Sequence, residues 1–114
     1  MRLARGTPIL VGLDLPIAHE QRGVRPCILV SDPEVTEDQR FPVLCIVPIT
    51  GTRGRGALYP PLDAGSGGLR KRSFALLDQI RTIDKRRVRK VFGKIAPAEL
   101  AAIDEGLRLL LGLR

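Results

Sequence analysis

The stretch Pro97-Ala98-Glu99-Leu100-Ala101-Ala102-Ile103-Asp104-Glu105-Gly106-Leu107-Arg108-Leu109-Leu110-Leu111-Gly112 decides the architecture. Leu100, Ile103, Leu107, Leu110 and Leu111 fall at offsets 0, 3, 7, 10 and 11, which is one face at a 3.6-residue period. Pro97 suits a first helical turn, Glu99 lies near the positive end of the helix dipole, and Gly112 is placed to stop the helix. A helix is expected over about residues 97–111. Upstream the period is different. Short apolar runs between turn signals predict strands at Pro8–Asp14, Cys27–Ser31, Phe41–Thr50, Ala57–Tyr59, Ser73–Ile83 and Arg87–Ile95. The runs from Cys27 and Phe41 are continuous, as expected for strands covered on both faces, and Pro48 argues for an edge or a bulge. Residues 51–72 are rich in Gly, Pro and Arg and read as hairpin loops. Gly65-Ser66-Gly67-Gly68 fits no phosphate-loop pattern and is expected to be a flexible tip. Five or six short strands followed by one helix predict a mainly β fold, a small antiparallel barrel closed by the C-terminal helix.

The chain has 114 residues, a length that predicts a single domain over 1–114. With 44% hydrophobic and 27% charged residues it has ordinary globular composition, which argues against disorder. No apolar run approaches the roughly 20 residues of a membrane span. The N-terminal Met1-Arg2-Leu3-Ala4-Arg5 meets a Gly-Thr-Pro break before any signal-peptide core, so a soluble, cytoplasmic protein without a membrane partner is expected. The net charge is +7, of which residues 1–57 carry +1 and residues 58–114 carry +6. A basic surface of this kind favours a polyanion, most simply nucleic acid, or an acidic protein; the plain alternative is solubility alone. Cys27 and Cys45 sit in apolar runs and His19 is the single histidine, so no ligand set has metal-binding spacing and no metal or cofactor is expected. Four aromatic residues (Phe41, Tyr59, Phe74, Phe92) are too few for a stacking platform across a sheet and are expected in the core. Arg70-Lys71-Arg72, Lys85-Arg86-Arg87 and Arg89-Lys90 are candidate phosphate-backbone contacts or, equally, a solvated basic rim.

Three stretches stand out from this background. His19-Glu20-Gln21-Arg22-Gly23-Val24-Arg25-Pro26 packs a titratable imidazole, a carboxylate and two guanidiniums between two apolar runs. The others are Val47-Pro48-Ile49-Thr50 and Leu77-Asp78-Gln79-Ile80-Arg81-Thr82-Ile83-Asp84. Together with Arg5-Gly6, Leu13-Asp14, Gly93-Lys94 and the terminal helix, in that order and at family-like separations, they resemble the MazF/PemK family of type II toxins. The resemblance runs over nearly the whole chain. It departs from the family pattern at Thr7, where an acidic residue is usual, at Gly12, at Ala18 before His-Glu-Gln, and at Leu76, where some members carry an arginine.

The resemblance implies an SH3-like barrel with a C-terminal helix, acting as a homodimer. It implies a sequence-selective endoribonuclease that cuts single-stranded RNA without a metal, leaving a 2′,3′-cyclic phosphate and a 5′-hydroxyl. An acidic, MazE-like antitoxin would be its protein partner. Arg25 and Thr50 match the family's shared catalytic pair, and His19 and Asp78 match positions used in its PemK-like members. On chemical grounds, a guanidinium holds its proton at neutral pH and makes a two-point phosphate clamp, which suits Arg25. Thr50 suits a hydroxyl donor to a phosphate oxygen, Asp78 or Glu20 a base, and His19 either an acid or a phosphate ligand. Gln79 is a candidate base-edge reader, and Glu20, Arg81, Arg70 and Arg72 are further candidate RNA contacts. The structural alternatives are a strand-end hydroxyl bonded to backbone for Thr50 and an ion pair with Arg81 for Asp78. Two other functions stay open at this point: a CcdB-like toxin that binds a protein such as gyrase without cleaving RNA, and a barrel that binds RNA but is catalytically impaired. The absence of Trp and the Leu111-Gly112-Leu113-Arg114 terminus argue against the first.

Overall fold

The computed structural model describes residues 3–13 and 23–113. Among these residues there are seven strands: β1 (Pro8–Leu13), β2 (Gly23–Leu29), β3 (Val43–Thr50), β4 (Pro61–Leu62), β5 (Ser73–Ala75), β6 (Arg81–Asp84) and β7 (Val88–Val91). A five-residue helix α1 (Pro33–Glu37) separates β2 from β3, and α2 runs from Pro97 to Leu111. All pairings are antiparallel, in the order β4-β5-β3-β2-β1-β7, with β6 also on β3.

The five-strand ladder β6-β3-β2-β1-β7 has to curl. Laid flat, its two end strands would stand about 19 Å apart at roughly 4.8 Å per strand. Only the 3₁₀ turn Lys85–Arg87 joins them, and a chain from Asp84 to Val88 reaches at most about 14 Å. The curl does not close. Among the described residues no ladder joins β6 to β7, so the expected closed barrel is corrected to an open, curled sheet. The reason is local: unlike a tight hairpin turn, the 3₁₀ turn does not fold β7 back along β6, and β7 is delivered to the free edge of β1.

Strand alternation gives the central strands two buried faces. Ile28, Val30, Val47 and Ile49 join Leu62, Ala75 and Leu77 in a core beneath Ile103 and Leu107 of α2. Cys27, Leu29, Leu44 and Ile46 point the other way and meet Ile9, Val11 and Ile83 inside the curl. Fully burying such side chains contributes about 1.5–3 kcal/mol each. The helix is held at its middle and at its first turn. Arg5 grips Asp104 with two bonds, of 2.6 and 3.1 Å, and donates through Nε to the Val30 carbonyl at 2.8 Å. Glu99 accepts from the backbone N–H groups of Ala96 (2.9 Å) and Asp63 (2.7 Å) and from the Ser66 hydroxyl. Burial alone would raise the Glu99 pKa, but these bonds hold it below the ordinary value. Gly112 closes the helix at φ 69°.

Six local expectations change. None of Phe41, Tyr59, Phe74 and Phe92 is buried in the core: Phe41 is exposed and the other three are half-buried. The strand expected at Cys27–Ser31 runs from Gly23 to Leu29. Ala57–Tyr59 is a turn, closed by Tyr59 N–H on the Gly56 carbonyl, and the strand lies further on at Pro61–Leu62. Ser73–Ile83 divides into β5, a 3₁₀ turn Leu77–Gln79 and β6. Arg87–Ile95 contracts to Val88–Val91. Gly65–Gly68 is pinned to α2 through Ser66 and Glu99. No helix among the described residues is long and apolar enough to cross a membrane.

Candidate active site

Alternation carries the inner face of the curl out to its mouth, where it turns polar. On β2 the inward sequence Leu29, Cys27 continues to Arg25; on β3, Leu44 and Ile46 continue to Pro48 and Thr50. Register brings in the rest. Arg25 stands opposite the inward-facing Val11, and Arg81 opposite Ile46. A cleft of about 400 Å³ opens here, with Val11, Cys27 and Pro48 in its wall and Arg25, Thr50, Gln79 and Arg81 contributing its polar groups.

Gln79 arrives by a different device. β5 and β6 both pair with the same edge of β3, but Ile49 faces Ala75 while Ile46 faces Arg81. The 3₁₀ turn Leu77–Gln79 takes up the extra residues. Leu77 points into the core and is fully buried, so Asp78 and Gln79 are left exposed at the surface.

The electrostatics are one-sided. Neither the Arg25 nor the Arg81 guanidinium has a hydrogen bond or ion pair with any described residue. Both lie close enough to the Cys27 thiol to pull its pKa down, yet burial dominates and pushes it up to about 11. Cys27 is therefore a neutral wall group. The Thr50 Oγ1 accepts the backbone N–H of Thr52 at 3.1 Å, which leaves its own proton free to be donated.

Asp78 does not line the cleft. Its Oδ2 accepts the Tyr59 hydroxyl at 2.5 Å, so the carboxylate is tied to Tyr59 and not to Arg81. The bond to Asp78, with burial second, raises the Tyr59 pKa. Sequence reasoning missed Tyr59, which lies 19 residues from its partner and in no motif. His19 and Glu20 lie outside the described residues. Arg72 stands over the Phe74 ring at 5.8 Å, and neither it nor the exposed Arg70 lines the cleft. Four of the basic residues from Lys85 to Lys90 are already engaged: Arg86 pairs with Asp84 at 2.9 Å, Lys85 Nζ donates to the Asp38 carbonyl at 3.0 Å, Arg89 donates to the Arg86 carbonyl at 2.8 Å, and Lys90 Nζ stands 5.1 Å over the Phe92 ring. No group of three His, Cys, Asp or Glu side chains that could hold a metal occurs among the described residues.

A family model of PemK-like, MazF-like toxins of type II toxin-antitoxin systems matches residues 4–111. The chain belongs to this family. Solved structures agree on the fold. A MazE–MazF complex from Deinococcus radiodurans superposes at a TM-score of 0.81 with 22% identity, over 100% of this chain and 99% of that one. An endoribonuclease in complex with its cognate antitoxin from a Mycobacterial species gives 0.80 and 20%, over 98% and 97%. The Mycobacterium tuberculosis toxin MazF-mt6 gives 0.77 and 21%, over 95% and 98%.

Proposed function

We propose that this chain is the toxin of a type II pair and acts as a sequence-selective endoribonuclease on single-stranded RNA. The observation that carries this is the cleft mouth, where two guanidiniums without described partners converge beside a hydroxyl whose proton is free. Such a site is complementary to a phosphodiester. Two similar folds, in the Mycobacterial endoribonuclease–antitoxin and Deinococcus MazE–MazF complexes, support the activity and the antitoxin partner.

In the proposed reaction the RNA 2′-oxygen attacks the adjacent phosphorus, and the O2′–P bond forms as the P–O5′ bond breaks. The 2′-hydroxyl proton goes to a carboxylate, for which Glu20 is the candidate, because Asp78 stands outside the cleft with one oxygen on Tyr59. The departing 5′-oxygen takes a proton from His19 or Arg25. Arg25 and Arg81 hold the equatorial phosphate oxygens, and Thr50 donates to one of them. These groups are already placed before charge develops, and that placement is where such catalysis comes from. Gln79 at the rim offers both a donor and an acceptor to a base edge. We further propose a homodimer, a cytoplasmic site of action, where messenger RNA is found, and an acidic antitoxin segment that covers the same basic mouth.

Incubating the purified protein with a long RNA in EDTA tests this reading. Fragments ending in 2′,3′-cyclic phosphate and beginning with 5′-hydroxyl are expected. Fragments with 5′-phosphate ends, or cleavage that needs added magnesium, would refute the mechanism.

A further inference from the structure

A second depression of about 600 Å³ lies beside the cleft. Its wall includes Arg53, Arg55, Arg72, Tyr59 and Phe74, and it begins at Gly51, the residue after Thr50. We infer that this arginine-walled depression is a second subsite for the same RNA strand, holding the nucleotides that flank the cut on the Thr50 side. The inference rests on the nuclease reading above.

Four observations support it. The two cavities adjoin, since Thr50 lines one and the next residue, Gly51, the other, and Phe74 of the depression pairs with Thr50 across the sheet. None of Arg53, Arg55 and Arg72 has a hydrogen bond or ion pair with a described residue, which leaves three guanidiniums without an anion. Arg72 stands over the Phe74 ring at 5.8 Å, and that layered pair is a surface on which a base can stack. The loop is also shaped: a Cβ on Gly54 would lie 2.6 Å from the Tyr59 Cβ, so the chain passes directly against the tyrosine that lines the depression. Tyr59 ties the depression to the turn that carries Gln79 into the cleft, since its ring is in the depression and its hydroxyl is on Asp78, the residue before Gln79. A basic groove combined with aromatic faces is the arrangement that binds single-stranded nucleic acid; an acidic peptide would use the charge and leave the rings idle.

The subsite predicts a dependence on RNA length. A short RNA that fills only the cleft is compared with RNAs extended at either end, each carrying a 2′-deoxy nucleotide at the scissile step so that binding is read without cleavage. For the Arg53→Ala/Arg55→Ala/Arg72→Ala variant, affinity for the RNA extended at one end should fall about tenfold or more. The slope of log K against log salt should flatten by about 0.7 for each phosphate that is no longer neutralised. The short RNA should bind as to wild type. Phe74→Leu, with its fold checked by circular dichroism, should show the same length dependence without the change in salt slope. Equal losses for short and extended RNAs, or no loss, would overturn the subsite even if wild type cleaves RNA as proposed. So would an unchanged RNA affinity together with loss of binding to a Glu-rich peptide, which would make the depression a protein site. Failure of wild type to cleave, with length-dependent binding intact, would sink the nuclease reading and leave the subsite standing.

Discussion

Replacing Gly106 with alanine should damage both stability and the site, although alanine is the better helix former. A Cβ on Gly106 would collide with Leu77 Cδ1 and lie 2.5 Å from the Ala57 carbonyl oxygen. The leucine tip can rotate away, but a backbone carbonyl cannot. To reach ordinary contact at 3.4 Å the Ala57 oxygen must retreat by about 0.9 Å. Overpacking of this kind costs about 1–3 kcal/mol, while the gain from replacing a helical glycine offsets roughly 0.5–1 kcal/mol. At the middle of both ranges a net loss of about 1 kcal/mol remains, which is a fall in Tm of roughly 4 °C for a chain this size. The displacement also reaches the chemistry. Ala57 is two residues before Tyr59, and Leu77 opens the turn that carries Asp78 and Gln79. A shift near 1 Å at positioning groups can slow catalysis up to about 10²-fold. Thermal denaturation and single-turnover cleavage of Gly106→Ala measure the two effects. A rise in Tm would show that α2 does not press on these segments, and the reasoning would fail.

Arg25→Ala should keep the fold, because Arg25 is exposed, and should reduce the cleavage rate about 10²–10³-fold; Arg25→Lys should recover only part of it. Single-turnover rates for both variants check this, and wild-type rates in Arg25→Ala would overturn the site assignment. The Asp84 carboxylate, bonded first to the Arg86 side chain and then to its N–H, is lowered from 3.8 to about 2. Its contribution to stability is thus present above pH 3.8 and is lost as pH falls through about 2. Carboxyl NMR titration should find its midpoint near 2, and Asp84→Asn should flatten that part of the acid unfolding curve. Cys27, raised to about 11, should resist iodoacetamide at pH 8 while the protein is folded and react once urea unfolds it. Its ionisation costs the folded state stability only as pH rises above about 9 towards 11.

The parts of the fold readable in advance were those with one dominant period. The offsets of Leu100, Ile103 and Leu107 place α2, and the doubly apolar runs place β2 and β3, because burial on two faces leaves no polar positions. Leu77 shows where this fails. Its burial continues the apolar run from β5, yet no Gly or Pro marks the 3₁₀ turn, and it is the close packing against Gly106 that sets it. Asp32 and Pro33 do carry a start signal for α1, with the Asp32 side chain accepting from Glu34 N–H at 2.8 Å, but five residues show no helical period. At the site, motif order pointed to Arg25, Thr50, Gln79 and Arg81. The Tyr59–Asp78 bond and the free arginines of the 51–56 loop depend on tertiary contacts, and no local pattern announces them.

The unclosed curl has a consequence for solubility. Among the described residues β7 pairs only with β1, so no described strand pairs with the backbone groups of its second edge. Exposed edges of this type invite another strand to add on, the route to aggregation. Here the outward positions are Arg89 and Lys90, both exposed, while Val88 and Val91 pack against the inner core. Two such edges meeting would bring guanidinium and ammonium groups of like sign face to face. Part of the positive charge that suits a polyanion thus also keeps copies of the chain from joining edge to edge, and neutralising Arg89 and Lys90 would make the protein stickier without touching its cleft.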